Sequence, residues 1–155
     1  MTVEKKRVLL VCSSGGHLNQ LMVLAPWLED FDVAIATFDK PDARSRTNGW
    51  RFYPLAWPTN RRIWNNLRNA VRAWHILGTE RPDLLLSAGA APAVSFFWVS
   101  RLRGRPPTVF IESFGRVGSP TVSAWLVRPV TDVFIAQHEA KLDGFAHRVV
   151  LGPSR

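Results

Sequence analysis

Apolar residues in this chain fall into short dense runs divided by polar stretches, and two periods recur. Runs at 7–13 (RVLLVCS), 32–38 (DVAIATF), 83–87 (DLLLS), 108–112 (TVFIE), 132–136 (DVFIA) and 148–151 (RVVL) predict strands. A further strand is expected at 51–56, after a loop rich in Arg, Asp and Asn. Between the runs the spacing turns helical: 17–29, with apolar positions at 18, 21, 22, 24, 25 and 28, then 61–77 and 92–102. Pro92 suits the first turn of the third helix, and Pro120 the start of a short helix at 119–126. Strands alternating with helices, and apolar enough to be covered twice, predict a Rossmann-like α/β fold: a parallel sheet with helices on both faces. Right-handed crossovers then gather the carboxyl ends of the strands, and the loops after them, along one edge.

Composition narrows this to one domain spanning 1–155, since 155 residues that are 46% hydrophobic and 21% charged suffice for one core and are short for two. The single cysteine, Cys12, excludes an intrachain disulfide and reads as a small strand residue of the core. Lys5, Lys6 and Arg7 precede an apolar run too short for a signal peptide. The longest apolar stretch, 88–99, is broken by Gly, Pro and Ser and falls short of the roughly 20 residues of a spanning helix. A cytoplasmic location is expected.

Charge changes the picture of one helix. The net charge is +8, and from Arg44 to Thr79 there are seven arginines and no acid. Ile63, Leu67, Ala70, Val71, Trp74 and Leu77 recur at helical spacing, so the helix is expected to pack on the sheet through that stripe. Arg61, Arg62, Trp64, Arg68 and Arg72 lie off the stripe, where they suit an anionic membrane surface. A merely solvated basic face is the plain alternative. Nucleic acid is not expected as a partner, because no nucleic-acid motif accompanies the charge.

Three loops at the predicted edge share small residues ahead of a helix: 13–16 (SSGG), 88–91 (AGAA) and 113–116 (SFGR). Small residues let a ligand approach the backbone, and helix N-termini offer free N–H groups to anions. The first loop matches neither GxGxxG nor GxxxxGK[ST]. Ser14, Gly15 and Gly16 can still form a phosphate nest, and His17 would then donate to the phosphate, act as a base, or simply cap the helix. Glu112 ends an apolar strand, so it is either exposed at the cleft edge or paired, with Arg116 a natural partner. Asp30-Phe31-Asp32 spells the D-x-D of some metal sites but precedes its strand, at the edge opposite the cleft, and reads as a solvated turn. His75, His138 and His147 show no metal-ligand spacing, so no metal site is expected.

The stretches VLLVCSSGGHLNQL, LLLSAGAAPAV and VFIESFGRVGSPTVSAWLVRPVTDVFIAQ resemble, in order and over residues 7–151, the bacterial PssD-type exopolysaccharide proteins. These are relatives of asparagine-linked glycosylation protein fourteen, the subunit that recruits the dolichol-linked N-acetylglucosaminyltransferase to the membrane. A more distant similarity is to the acceptor half of MurG. The resemblance implies the N-terminal, acceptor-side half of a GT-B glycosyltransferase split over two chains, with a PssE-like partner supplying the UDP-sugar site. It implies that Ser14, Gly15, Gly16 and His17 contact a polyprenyl-diphosphate-linked sugar acceptor. Gly89, Ala90, Ala91, Glu112, Ser113 and Arg116 would line the same cleft. The end of the chain near Leu151-Gly152-Pro153 falls where a one-chain enzyme would begin its linker to a second domain.

The expected role is thus a subunit of an inverting, metal-independent glycosyltransferase building exopolysaccharide, capsule or lipid-linked oligosaccharide. The chain would bind no cofactor itself and would lie peripherally on the inner face of the membrane. His17 and Glu112 are its candidate proton-transfer residues. Two other classes stay open: a non-catalytic membrane adaptor of a competent partner, and a stand-alone nucleotide-binding domain.

Overall fold

A computed structural model describes residues 4–47, 49–59, 62–104, 106–112, 120–136 and 147–150. Seven strands form one parallel sheet: β1 (Arg7–Val11), β2 (Asp32–Phe38), β3 (Arg51–Leu55), β4 (Leu84–Ser87), β5 (Thr108–Ile111), β6 (Val133–Ala136) and β7 (Arg148–Val150). Their order is β3-β2-β1-β4-β5-β6-β7, and every neighbouring pair is parallel. The order reverses between β1 and β4, so the loops leaving these two strands diverge and open a crevice at their carboxyl ends.

The helices are α1 (Gly16–Met22), α2 (Pro41–Arg46), α3 (Ile63–Glu80), α4 (Ala91–Leu102) and α5 (Val122–Val127). Because strand side chains alternate, Leu9, Val11, Leu85, Phe110 and Phe134 face one layer, formed by α3, α4 and α5. Val8, Leu10, Ile35, Leu86 and Ile111 face the other, which α1 and α2 cover. The Phe110 ring anchors the first layer: it stacks on Phe134 at 5.6 Å between centroids and meets Phe97 edge-on at 6.0 Å. The sheet with helices on both faces is the predicted architecture.

Three elements differ from the sequence reading. The helix expected over 17–29 stops at Met22 and resumes as a 3₁₀ turn over Ala25–Leu28. Pro26 lacks an N–H, and the local bonds Leu24 N–H to Leu21 O and Trp27 N–H to Leu24 O span three residues. The expected loop before β3 contains α2, begun by Pro41 and closed by Thr47, whose hydroxyl donates to Ala43 O at 2.8 Å. The third difference concerns α3 and overturns the stripe argument. Of the stripe, Leu77 is buried and Ala70 packs against the core, but Ile63, Leu67, Val71 and Trp74 are exposed, and Asn69, Ala73, Ile76 and Glu80 are buried in their place.

The buried face of α3 is centred roughly a third of a turn from the apolar stripe. Two polar residues explain the rotation. Asn69 accepts the Ala56 N–H at 2.7 Å and donates to Ala56 O at 3.1 Å, fastening the helix to the end of β3. Glu80 accepts from Arg51 at 2.7 Å and from the Tyr53 hydroxyl. Each burial is satisfied by hydrogen bonds, so polar residues occupy positions that spacing alone assigns to apolar ones.

Candidate active-site cleft

The loop after β1 carries the chain from Val11 through Cys12, Ser13, Ser14 and Gly15 into α1. Gly15 has φ +84° with nothing within 4 Å of a hypothetical Cβ, so backbone conformation rather than crowding calls for glycine. His17 stands in the first turn of α1, and its Nδ1 lies 2.8 Å from Ala88 O in the loop after β4. One imidazole therefore laces together the two loops that flank the reversal point of the sheet. A carbonyl only accepts, so Nδ1 carries the proton, and in the neutral ring Nε2 keeps its lone pair. That tautomer suits Nε2 to take a hydroxyl proton, and only the imidazolium could donate to a phosphate there.

The loop after β4 is shaped for this contact. Gly89 has φ +109°, and a Cβ on it would sit 3.4 Å from His17 Cε1 and 3.5 Å from Phe110 Cζ. Ala90 adopts φ 71° and ψ 174°, a region populated essentially by glycine, just before α4. The Ser87 hydroxyl steadies the turn by accepting the Gly89 N–H at 3.1 Å.

His17, Ser13, Ser14, Ala90 and Ala91 form one side of a cavity of about 320 Å³. Its other side comes from Phe38, the last residue of β2, from Lys40 just beyond it, and from Trp57, Pro58 and Thr59 after β3. The Lys40 ammonium lies 4.7 Å from the Trp57 ring centroid, and the indole remains 60% exposed. The signal that could have found them is position, since both follow strands whose carboxyl ends lie at the cleft edge. A recess of about 280 Å³ among Ser100, Pro106, Thr108 and Asp132 lies at the opposite edge, by the start of β5.

Glu112 is placed differently from the exposed cleft carboxylate that its sequence position allowed. It is 2% exposed and accepts from the Thr121 N–H at 3.2 Å and the Thr121 hydroxyl at 3.4 Å. Thr121 in turn caps α5 by accepting the Ala124 N–H. The main chain of Glu112 is held as well, by Gln20 Nε2 on its carbonyl and by Ile135 O on its N–H. The carboxylate is buried against the α5 cap and is not among the side chains that line the cavity around His17. Ser113 and Arg116 lie outside the described residues, as does Arg61.

Cys12 is the core residue expected from its strand. Its thiol is fully buried 3.8 Å from the Thr37 hydroxyl, and burial pushes its pKa up to about 12. Among the described residues no three His, Cys, Asp or Glu side chains are grouped to hold a metal ion. Asp32, of the D-x-D sequence, is tied to Arg51 at the edge away from the cleft, which holds its carboxyl below the usual range.

On the outer side of the α3–α4–α5 layer, Arg62, Arg68 and Arg72 are exposed, and Trp64 is 78% exposed. The basic segment is partly neutralised from outside itself. Arg44 pairs with Asp39, and Arg51 pairs with Glu80 and Asp32. What the sequence reading missed is how apolar this surface is. Ile63, Leu67, Val71 and Trp74 of α3 are joined by Trp98 and Leu102 of α4 and by Val122, Trp125 and Leu126 of α5. Trp98 bridges two of these helices by donating to Leu126 O at 3.1 Å. No helix among the described residues is long and apolar enough to cross a membrane.

No family model matches the chain, and no curated protein does. Solved structures do match. Acinetobacter baumannii MurG aligns over 97% of this chain and 46% of its own, with a TM-score of 0.76 and 16% identity. S. aureus MnaA, solved with UDP, aligns over 95% and 45%, with a TM-score of 0.75 and 14% identity. The Methanocaldococcus jannaschii UDP-GlcNAc 2-epimerase, in complex with UDP-GlcNAc and UDP, aligns over 94% and 46%, with a TM-score of 0.72 and 13% identity. The chain thus has the Rossmann-like fold of the GT-B N-domain and spans just under half the length of these structures.

Proposed function

We propose that this chain is the acceptor-side subunit of a UDP-sugar-dependent glycosyltransferase that assembles an exopolysaccharide, capsule or lipid-linked oligosaccharide. In this reading the cleft beside α1 holds the diphosphate and first sugar of a polyprenyl-linked acceptor. A PssE-like partner chain presents the UDP-sugar, and the reaction needs no metal ion. The acceptor hydroxyl attacks the anomeric carbon of the donor and UDP leaves. The chain's main contribution is to fix that hydroxyl in line with the bond being broken.

The observation that carries this reading is the His17–Ala88 bond. It sets a polar side chain, its Nε2 without a partner among the described residues, beside a cavity at the reversal point of the sheet, where open α/β sheets bind ligands. Nε2 of the neutral ring is oriented to accept the proton of the attacking hydroxyl. The apolar and arginine-bearing surface of α3, extended by Trp98 and Trp125, supports peripheral attachment to an anionic bilayer. Apolar side chains enter the interface while arginines pair with headgroups, so both contribute to attachment.

The test is sugar transfer by the chain reconstituted with its partner, using His17→Ala with co-purification as a control. Transfer falling by about a hundredfold, within the range for loss of a general base, while the complex stays intact supports the reading. Unchanged turnover would leave the chain a non-catalytic adaptor. For the membrane, replacing Ile63, Leu67 and Val71 by Ser is expected to abolish sedimentation with anionic liposomes. Changing Arg62, Arg68 and Arg72 to Gln should weaken it and remove its salt dependence. Liposome binding that survives both sets excludes α3 as the anchor.

A further inference from the structure

Five side chains of the cleft belong to neither of the loops that His17 joins, and two of them form a pair. Lys40 and Trp57 follow adjacent parallel strands, β2 and β3, so their approach is fixed by the sheet itself. The charge of Lys40 is not spent on a carboxylate among the described residues. Its neighbour Asp39 is gripped twice by Arg44, at 2.5 and 2.9 Å, and is held below the usual carboxylate range by those bonds. A cation with an indole for its partner therefore faces a cavity whose opposite wall carries two serine hydroxyls and an imidazole.

We infer that Lys40 and Trp57 form a second binding zone of this cleft, specific for a glycosyl phosphate. The Lys40 ammonium takes the charge of the phosphate, and the Trp57 indole lies against the C–H face of the sugar. The inference rests on the acceptor-side reading above and gives it a sugar-recognising wall. A phosphate suits Lys40 because an ammonium is a compact donor of three hydrogen bonds, which a lone indole face satisfies poorly. A sugar suits Trp57 because a large, rigid and half-wetted aromatic surface gains by covering the apolar face of a ring that is polar at its rim.

Isothermal titration of the full chain with three probes tests this: inorganic pyrophosphate, glucose 1-phosphate and UDP. Lys40→Met is expected to weaken pyrophosphate and glucose 1-phosphate alike by about tenfold, about the effect of losing one charge-assisted contact. Trp57→Ala is expected to weaken glucose 1-phosphate by about fivefold and leave pyrophosphate unchanged, with Trp57→Phe restoring most of the loss. Circular dichroism of each variant shows that the fold is kept. If both variants bind every probe as the wild type does while His17→Ala binds less, the second zone is overturned and the acceptor cleft stands. If UDP binds more tightly than glucose 1-phosphate and depends on Trp57, the indole stacks on a base and the inference is again overturned. Wild-type chain that binds none of the probes sinks the acceptor reading together with this one.

Discussion

The two edges of the sheet are built on opposite terms. At the amino-terminal edge, charges are matched with one another across strands. Asp83 accepts the Arg7 N–H at 2.8 Å and pairs with Lys6, Asp132 accepts the Thr108 N–H at 2.8 Å, and Arg51 joins Asp32 to Glu80. At the carboxyl edge, Gly15, Gly89 and Ala90 hold positive φ, and His17 is tied to a main-chain carbonyl by Nδ1. At the first edge these polar groups are paired with one another, while at the second the His17 ring and the Lys40 ammonium face the cavity between the loops. Positive φ also occurs at the first edge, at Arg81 (φ 43°), so what sets the second edge apart is a pair of such residues, Gly89 and Ala90, in the loop that His17 touches.

Substitution at Gly89 should break this contrast most severely. Gly89→Ala forces an L residue to φ +109°, which strains the loop whose carbonyl holds the imidazole, while the added Cβ would stand in ordinary contact with His17 at 3.4 Å. A stability loss of about 1–3 kcal/mol in urea melts is expected, with sugar transfer reduced as the strained loop shifts the carbonyl that orients His17. An active, stable Gly89→Ala protein would show that the loop geometry is incidental.

At the other edge, Glu80→Gln should cost stability and leave probe binding in the cleft untouched. The expected loss is about 1–2 kcal/mol, less than for a fully buried pair because the Arg51 side chain stays 44% exposed. The pH dependence carries a definite sign. Arg51 holds the Glu80 carboxyl below its usual range, so its contribution is complete above the unfolded carboxylate's pKa. It disappears as pH falls through the depressed folded value. Acid melts of Glu80→Gln should be flatter on that limb than those of the wild type.

Smaller and opposite in sign is the effect of Ala90→Gly. Relieving a backbone at φ 71° and ψ 174° should raise stability by about 1 kcal/mol, in spite of the added freedom of the unfolded chain. A loss would mean that Ala90 is not strained. The smallest effect concerns Cys12. With its thiol pKa near 12 and no exposure, it should resist alkylation at neutral pH until the chain unfolds.

The sheet was legible because each buried strand is a compact apolar run, and the helices between were legible from their spacing. The inner face of α3 was not, because Asn69 and Glu80 satisfy their polar groups on β3, and a partner on another element leaves no periodic trace. Of the two placements the sequence allows Glu112, the buried one is found, and its contact with Thr121 could not be read from spacing because Thr121 starts the next helix. The glycine loop and His17 could be found from residue types after a strand. Lys40 and Trp57 also stand after strands, but only the pairing of β2 with β3 makes them neighbours of each other.

Six of the seven tryptophans, Trp27, Trp57, Trp64, Trp74, Trp98 and Trp125, are exposed in the folded chain. Intrinsic fluorescence should consequently be a poor reporter of folding, with native emission already close to that of indole in water and little red shift on denaturation. The same crowding of indoles on the outside gives the chain a bright optical signature for contact. A blue shift on adding vesicles or a partner chain would mark the surfaces that become covered, and single Trp→Phe variants would map them one ring at a time.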